Sequence, residues 1–133
     1  MKYLLDTNIC IYIINNKPTQ IRQYFERCSP GDIGISSITL AELQYGVEKS
    51  TQRDKNQQAL TQFILPLEVL PFDHMAAIAY GFLRAMLEKK GKLLGALDMQ
   101  IAAHALSSRS ILVTNDRRFF RGLEEVRVEE WSA

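Results

Sequence analysis

The chain has little cysteine or histidine, almost no net charge and no long hydrophobic run. Its two cysteines, Cys10 and Cys28, lie far apart with no C-x-x-C pair, and His74 and His104 are scattered. A disulfide framework is therefore not expected, and no ligand spacing for zinc is present. Both thiols are expected to be reduced core residues. Sixteen Lys and Arg against fifteen Asp and Glu leave a net charge of +1. That balance excludes a histone-like or polybasic-tail mode of nucleic-acid binding, but not a local basic patch beside a local acidic one. The opening apolar stretch breaks at Asp6, too early for a signal-peptide core. The apolar run from Ile9 to Ile14 is too short to span a bilayer. A cytoplasmic protein with no membrane association is expected. No repeat or Pro/Gly/Ser-rich linker divides the 133 residues, so a single domain over 1–133 is expected. With 47% hydrophobic and 23% charged residues, that domain can bury a core.

Periodicity then places the elements. Tyr3-Leu4-Leu5 reads as a short buried strand ending at Asp6. Residues 8–16 continue apolar until Asn15-Asn16. Ile21, Tyr24, Phe25 and Cys28 follow at helical spacing, and Ser29 to Asp32 make a turn. Ile33-Gly34-Ile35 is a second strand, closing at Ser36-Ser37. A helix from about Ile38 carries Leu40, Leu43 and Val47 on one face, and another covers roughly 54–64. Leu67 to Leu70 forms a third strand between Pro66 and Pro71. The longest helix spans 73–90, with Met75, Ile78, Phe82 and Met86 as its stripe. A further helix runs from Ala96 to about Ser107, followed by the strand Ile111-Leu112-Val113 and a weak edge strand at Arg127-Val128-Glu129. Short apolar strands alternating with helices predict an α/β protein, a three-layer α/β/α sandwich around a parallel sheet.

Four acids fall where such a fold gathers ligands. Asp6 ends the first strand, Glu42 lies one and a half turns into the helix after the second, Asp98 is in the first turn of the late helix, and Asp116 follows the strand at 111–113. In an open parallel sheet the carboxyl ends of the strands share one edge, where ligands bind at the reversal of strand order. Carboxylates converging there require a cation. Oxygen-only ligands select a hard ion, Mg²⁺ or Mn²⁺, suited to attack of water on a phosphodiester. Each acid also has a purely structural explanation. Asp6 and Asp116 can cap helices, Thr39-x-x-Glu42 reads as a capping box, and Asp98 complements a helix dipole. Those explanations predict no common edge and leave Thr7, Asn8, Thr114 and Asn115 without a role.

Taken together, Asp6-Thr7-Asn8, Ser36-Ser37-Ile38-Thr39-Leu40-Ala41-Glu42-Leu43-x-x-Gly46, Gly95-x-x-Asp98-x-x-Ile101-Ala102-Ala103 and Thr114-Asn115-Asp116-x-x-Phe119 resemble the PIN-domain ribonucleases. The likeness is strongest to the VapC toxins of bacterial toxin–antitoxin pairs, and it runs through effectively the whole chain. It implies a strand order of 3-2-1-4-5, Mg²⁺- or Mn²⁺-dependent RNA cleavage, a homodimer, and neutralisation by a VapB-type antitoxin. Asp6 and Asp98 match the family's principal metal ligands. Glu42 and Asp116 match the second pair of acids, which often reach metal through water. Thr114, with Thr7 or Ser36, matches the polar positions that orient acids or waters. The enteric relatives imply initiator tRNA, cut in the anticodon loop, as substrate.

Cations for RNA are expected from Lys89, Lys90 and Lys92, leading towards Asp98, and from Arg117, Arg118 and Arg121 after Asp116. The alternative for the lysines is a solvated helix end. Ile9, Ile11, Tyr12, Ile13 and Ile14 are more apolar than one buried helical face requires, which fits either a helix wedged between layers or, as the resemblance implies, a groove for an antitoxin segment, with Ile9, Tyr12 and Ile13 as its contacts. Gly46 marks either a close approach or an early helix end, and Trp131 is expected to pack rather than stack on a base. Other functions remain open. A structure-specific nuclease of RNA processing shares every feature above. A receiver-like signalling domain requires an acidic pair near the first strand and a late Lys, yet no Lys follows position 92. A haloacid-dehalogenase-type phosphatase requires a second Asp where Asn8 stands.

Overall fold

The computed structural model describes residues 1–16, 19–29, 31–116, 118 and 123–131. Its elements run β1 (Tyr3–Leu5), α1 (Thr7–Asn15), α2 (Thr19–Arg27), β2 (Ile33–Ser36), α3 (Ser37–Lys49), α4 (Arg53–Ile64), β3 (Glu68–Leu70), α5 (His74–Lys90), α6 (Ala96–Ser108), β4 (Ile111–Val113) and β5 (Val128–Glu129). All four strand pairings are parallel and the order is β3-β2-β1-β4-β5, as the resemblance implies. β1 is central, with Leu4 opposite Gly34 of β2 and Leu112 of β4. The direction of chain progression reverses at β1, so the carboxyl ends of β1, β2 and β4 open on one edge.

Alternation along β1 and β4 divides the core. Leu4 and Leu112 face α5 and α6, packing with Leu83, Leu87, Ile101 and Ala102. Leu5 and Val113 face the opposite layer, with Ile9 and Ile13 of α1, Ile21 of α2, Leu43 and Val47 of α3, Leu60 and Phe63 of α4, and Trp131. The sheet is therefore covered on both sides, which is why its central strands β1 and β4 read as unbroken apolar runs. Trp131 is buried, edge-on to Tyr3 and stacked on Tyr24. Cys10 is buried and Cys28 half-buried, and both are free thiols. Among the described residues no helix is long and apolar enough to cross a membrane.

Two faces differ from the sequence reading. In α1, Ile9 and Ile13 are core residues with no accessible surface to offer a partner, whereas Ile11 is exposed and Tyr12 and Ile14 are half-buried. A nine-residue helix that is apolar nearly all round carries no pattern to say which side turns inward. In α5, Ala76, Leu83 and Leu87 face the core, while Met75, Ile78 and Phe82 are 60%, 55% and 55% exposed. That helix has two apolar stripes, and the aliphatic one pointing at α6 is the buried one. Gly46 lies inside α3 with open space around it, so neither a close approach within the chain nor a helix end explains it.

Candidate active site

Asp6, Thr7, Asn8, Glu42, Asp98, Asp116 and Arg118 line one cleft at the carboxyl edge of the sheet. The four acids read from the sequence thus converge, although they come from the end of β1, the middle of α3, the start of α6 and the segment after β4.

Asp6 lies deepest, only 6% exposed. It caps α1, with Oδ1 accepting the Ile9 backbone N–H at 2.9 Å. Its other oxygen, Oδ2, accepts the hydroxyl of Thr114. The capping explanation therefore holds for one oxygen of this residue, while the other is tied to Thr114 at the cleft. Burial pushes the Asp6 carboxyl up to about 6, the Thr114 and Ile9 hydrogen bonds oppose the rise, and the charges of Asp98 and Asp116 add to it. Thr114 is fully buried, and its Oγ1 also accepts the Asp116 N–H at 3.0 Å. One hydroxyl thereby ties the deepest acid to the backbone of an outer one.

Glu42 does not complete a capping box. The N-cap of α3 is Ser36, whose Oγ accepts the Ile38 N–H at 3.0 Å, and Thr39 is buried within the helix. Glu42 instead reaches across to α1, where Oε1 accepts the Thr7 hydroxyl at 2.6 Å. Ser36 has a second partner that sequence reasoning missed: its Oγ lies 2.8 Å from Nδ1 of buried His104 on α6. That bond couples the start of α3, which carries Glu42, to the helix that carries Asp98. The two residues are 68 positions apart, and nothing local announces the contact.

Asp98 and Asp116 form the outer half. Asp98 stands in the first turn of α6, and burial raises its carboxyl above the usual range while the Arg118 guanidinium pulls it down. Asp116 is held below the usual range, first by its hydrogen bonds with Arg118. Nε of Arg118 donates to both Asp116 oxygens at 3.0 and 3.1 Å, and a terminal nitrogen lies 2.5 Å from Asp116 Oδ2 and 3.2 Å from Asp98 Oδ2. The sequence placed Arg118 near this edge. It did not place the guanidinium between two of the acids.

The other cationic positions lie further off or outside the described residues. Arg117 and Arg121 are outside them. Lys89, Lys90 and Lys92 are exposed at and beyond the end of α5, and Lys90 Nζ lies 3.5 Å from Glu124. Among the described residues no three His, Cys, Asp or Glu side chains already stand as a ready-made metal cage. The donor set still fits a hard divalent ion, being all oxygen. A guanidinium lodged between two of the acids shows that this edge takes up positive charge.

The comparisons with known proteins agree with this geometry. A family model described as PIN domain matches residues 3–123. The tRNA(fMet)-specific endonuclease VapC of Shigella flexneri is 42% identical over 132 residues, 99% of each chain. Among solved structures, DNA-bound VapBC from Salmonella typhimurium superposes with a TM-score of 0.92 at 45% identity, covering 99% of both chains. VapBC2 from Rickettsia felis, bound to a promoter DNA fragment, gives 0.90 at 41% identity over 99% of this chain and 100% of the other. Fold, cleft and full-length likeness converge: the chain belongs to the PIN-domain family of VapC ribonucleases.

Proposed function

We propose that the chain is a Mg²⁺- or Mn²⁺-dependent endoribonuclease toxin, a single nuclease domain over residues 1–133, working in the cytoplasm. The observation that carries this reading is the convergence of Asp6, Glu42, Asp98 and Asp116 in one cleft. Asp6 and Asp98 would hold the ion directly, and Glu42 and Asp116 would support it from further out. When bound, the ion supplies an activated water and neutralises charge on the phosphodiester. Thr114 fixes Asp6 so that its outward lone pairs stay aimed at the cleft. Thr7 does the same for Glu42, and a Glu42 so placed can accept a proton from an attacking water. Arg118 and Arg117, with Lys90 and Lys92 at the rim, are the cations to meet RNA phosphates. Initiator tRNA is the proposed substrate, supported by the name of the Shigella relative. Purified protein incubated with total RNA and with initiator tRNA should give discrete new ends in Mg²⁺ and none in EDTA. Undiminished cleavage in EDTA would refute the cation requirement.

The partner proposed is a VapB-type antitoxin, as in the VapBC structures of the relatives. Its docking surface is the apolar groove between α1, α3 and α4, lined by Ile11, Ile14, Leu43, Gly46, Val47 and Leu60 and reaching Glu42. Ile11 and Ile14 take the place that the sequence gave to Ile9 and Ile13, and the missing side chain of Gly46 keeps the groove open. Homodimerisation is proposed through the exposed Met75, Ile78 and Phe82 of α5, a stripe too apolar to be left to solvent. Sedimentation of Phe82→Glu as monomer against a wild-type dimer would support that face.

A further inference from the structure

We propose that Arg118 is a resident counter-ion of the cleft, displaced by the arriving divalent cation and then passed to the RNA phosphate. The inference rests on the cation-dependent reading above and deepens it. The guanidinium touches both oxygens of Asp116 and one of Asp98. The Arg118 side chain is 60% exposed, so charge rather than packing holds it. A carboxylate oxygen that accepts a guanidinium N–H has given up lone-pair capacity an ion needs. A divalent cation a few ångström from a guanidinium is also repelled by it. Seating an ion against Asp98 therefore requires the side chain to leave.

The local geometry permits that exchange without unfolding the segment. The Arg118 backbone N–H donates to Asp116 Oδ1 at 3.0 Å, and the Asp116 N–H is held by Thr114. These main-chain bonds persist when the guanidinium swings away. Asp6, whose oxygens accept from Ile9 and Thr114, makes no hydrogen bond to Arg118 among the described residues. The inner acid thus stays fixed while the outer two trade one cation for another. A guanidinium released at the mouth of the cleft is then free to fork onto a phosphate, which it matches in geometry.

The test is Mn²⁺ binding to RNA-free protein, measured calorimetrically at low ionic strength and constant pH, for wild type, Arg118→Gln and Arg118→Lys. Competition predicts that Arg118→Gln binds Mn²⁺ roughly threefold to tenfold tighter than wild type, the scale of releasing an exposed ion-pair network. Arg118→Lys, a charge without the fork, should fall between them. The exposed position leaves folding intact, checked by circular dichroism. A second arm uses Glu42→Gln protein to slow cleavage: Mn²⁺ should tighten its binding to tRNA, and adding Arg118→Gln should shrink that gain at least threefold. Equal or weaker Mn²⁺ binding by Arg118→Gln overturns the proposal and makes the guanidinium an aligner of carboxylates. Failure of wild type and variants alike to bind Mn²⁺ overturns the cation-dependent reading with it. Wild-type binding with no change in Arg118→Gln overturns the Arg118 proposal alone.

Discussion

Asp6 and Asp116 stand at the carboxyl ends of adjacent strands, joined through one threonine, yet the fold keeps their charges by opposite means. Asp6 is buried, both oxygens are hydrogen-bonded, and the balance still leaves its carboxyl raised to about 6. Asp116 is half-buried, paired with a guanidinium and held below the ordinary range. The inner acid is positioned by the core and tolerates its charge poorly when no cation is present. The outer acid is positioned by a turn and carries an exchangeable partner. One cleft therefore has a half held by the core and a half held by an exposed ion pair.

The largest effect should come from removing a carboxylate proposed to hold the ion directly, Asp6 in the core-held half or Asp98 in the ion-paired one. Asp6→Asn or Asp98→Asn should lower RNA cleavage by more than a hundredfold, because loss even of a ligand's supporting partner costs about 10–100-fold. Gel assays on equal amounts of folded protein check this, and near wild-type cleavage by either variant would remove that residue from the site.

Next comes the pH dependence that separates the two acids. Burial pushes the folded Asp6 carboxyl up to about 6, from an ordinary 3.8. Between those limits the fold binds more protons than the unfolded chain, so stability falls as pH rises. In EDTA the loss from pH 4 to 6.5 attributable to Asp6 should be about 3 kcal/mol at most. Asp116 has the opposite sign: its lowered value contributes stability that is lost as pH falls through the acid range. Urea melts of wild type and Asp6→Asn across pH 4–7 should show the alkaline-side loss in wild type and a flatter profile in the variant.

A smaller effect should follow from cutting the link. Thr114→Val keeps the volume but leaves Asp6 Oδ2 and the Asp116 N–H without their hydroxyl. Cleavage should fall about 10–100-fold and stability by about 1–3 kcal/mol. Thr39→Ala, whose hydroxyl lies 3.4 Å from that of Thr7 but bonds to no acid among the described residues, should change stability more than cleavage.

The same contrast shows what a sequence can carry. Asp6 and Asp116 were legible because each follows a short apolar strand, and parallel strands bring such ends to one edge, whereas Glu42 and Asp98, carried on helices, were legible through the motifs around them. Strand order and the packing of Trp131 were legible through whole-chain likeness and through burial of large apolar side chains. Partner choices across the fold were not. Whether Glu42 faces Thr39 or Thr7 depends on how α3 lies against α1, and the Ser36–His104 bond depends on α6 lying beneath α3. The raised carboxyl of Asp6 was not legible either. Its first cause is burial, with Asp98 and Asp116 contributing less, and no spacing of acids along a chain reports depth. Ile9 against Ile11, and Met75 against Leu83, failed for a related reason: where a helix is apolar on two sides, only its neighbours choose the inner one.

The most direct test of one cation-loaded site is thermal melting of wild type and Asp98→Asn in EDTA and in rising Mn²⁺. Binding to the native state at a hundredfold excess over the dissociation constant contributes roughly 2.7 kcal/mol, several degrees for a domain of this size. Wild type should melt higher as Mn²⁺ rises and saturate, while Asp98→Asn should gain little. If wild type gains nothing from Mn²⁺, or if Asp98→Asn gains as much, the four carboxylates do not act as one metal site.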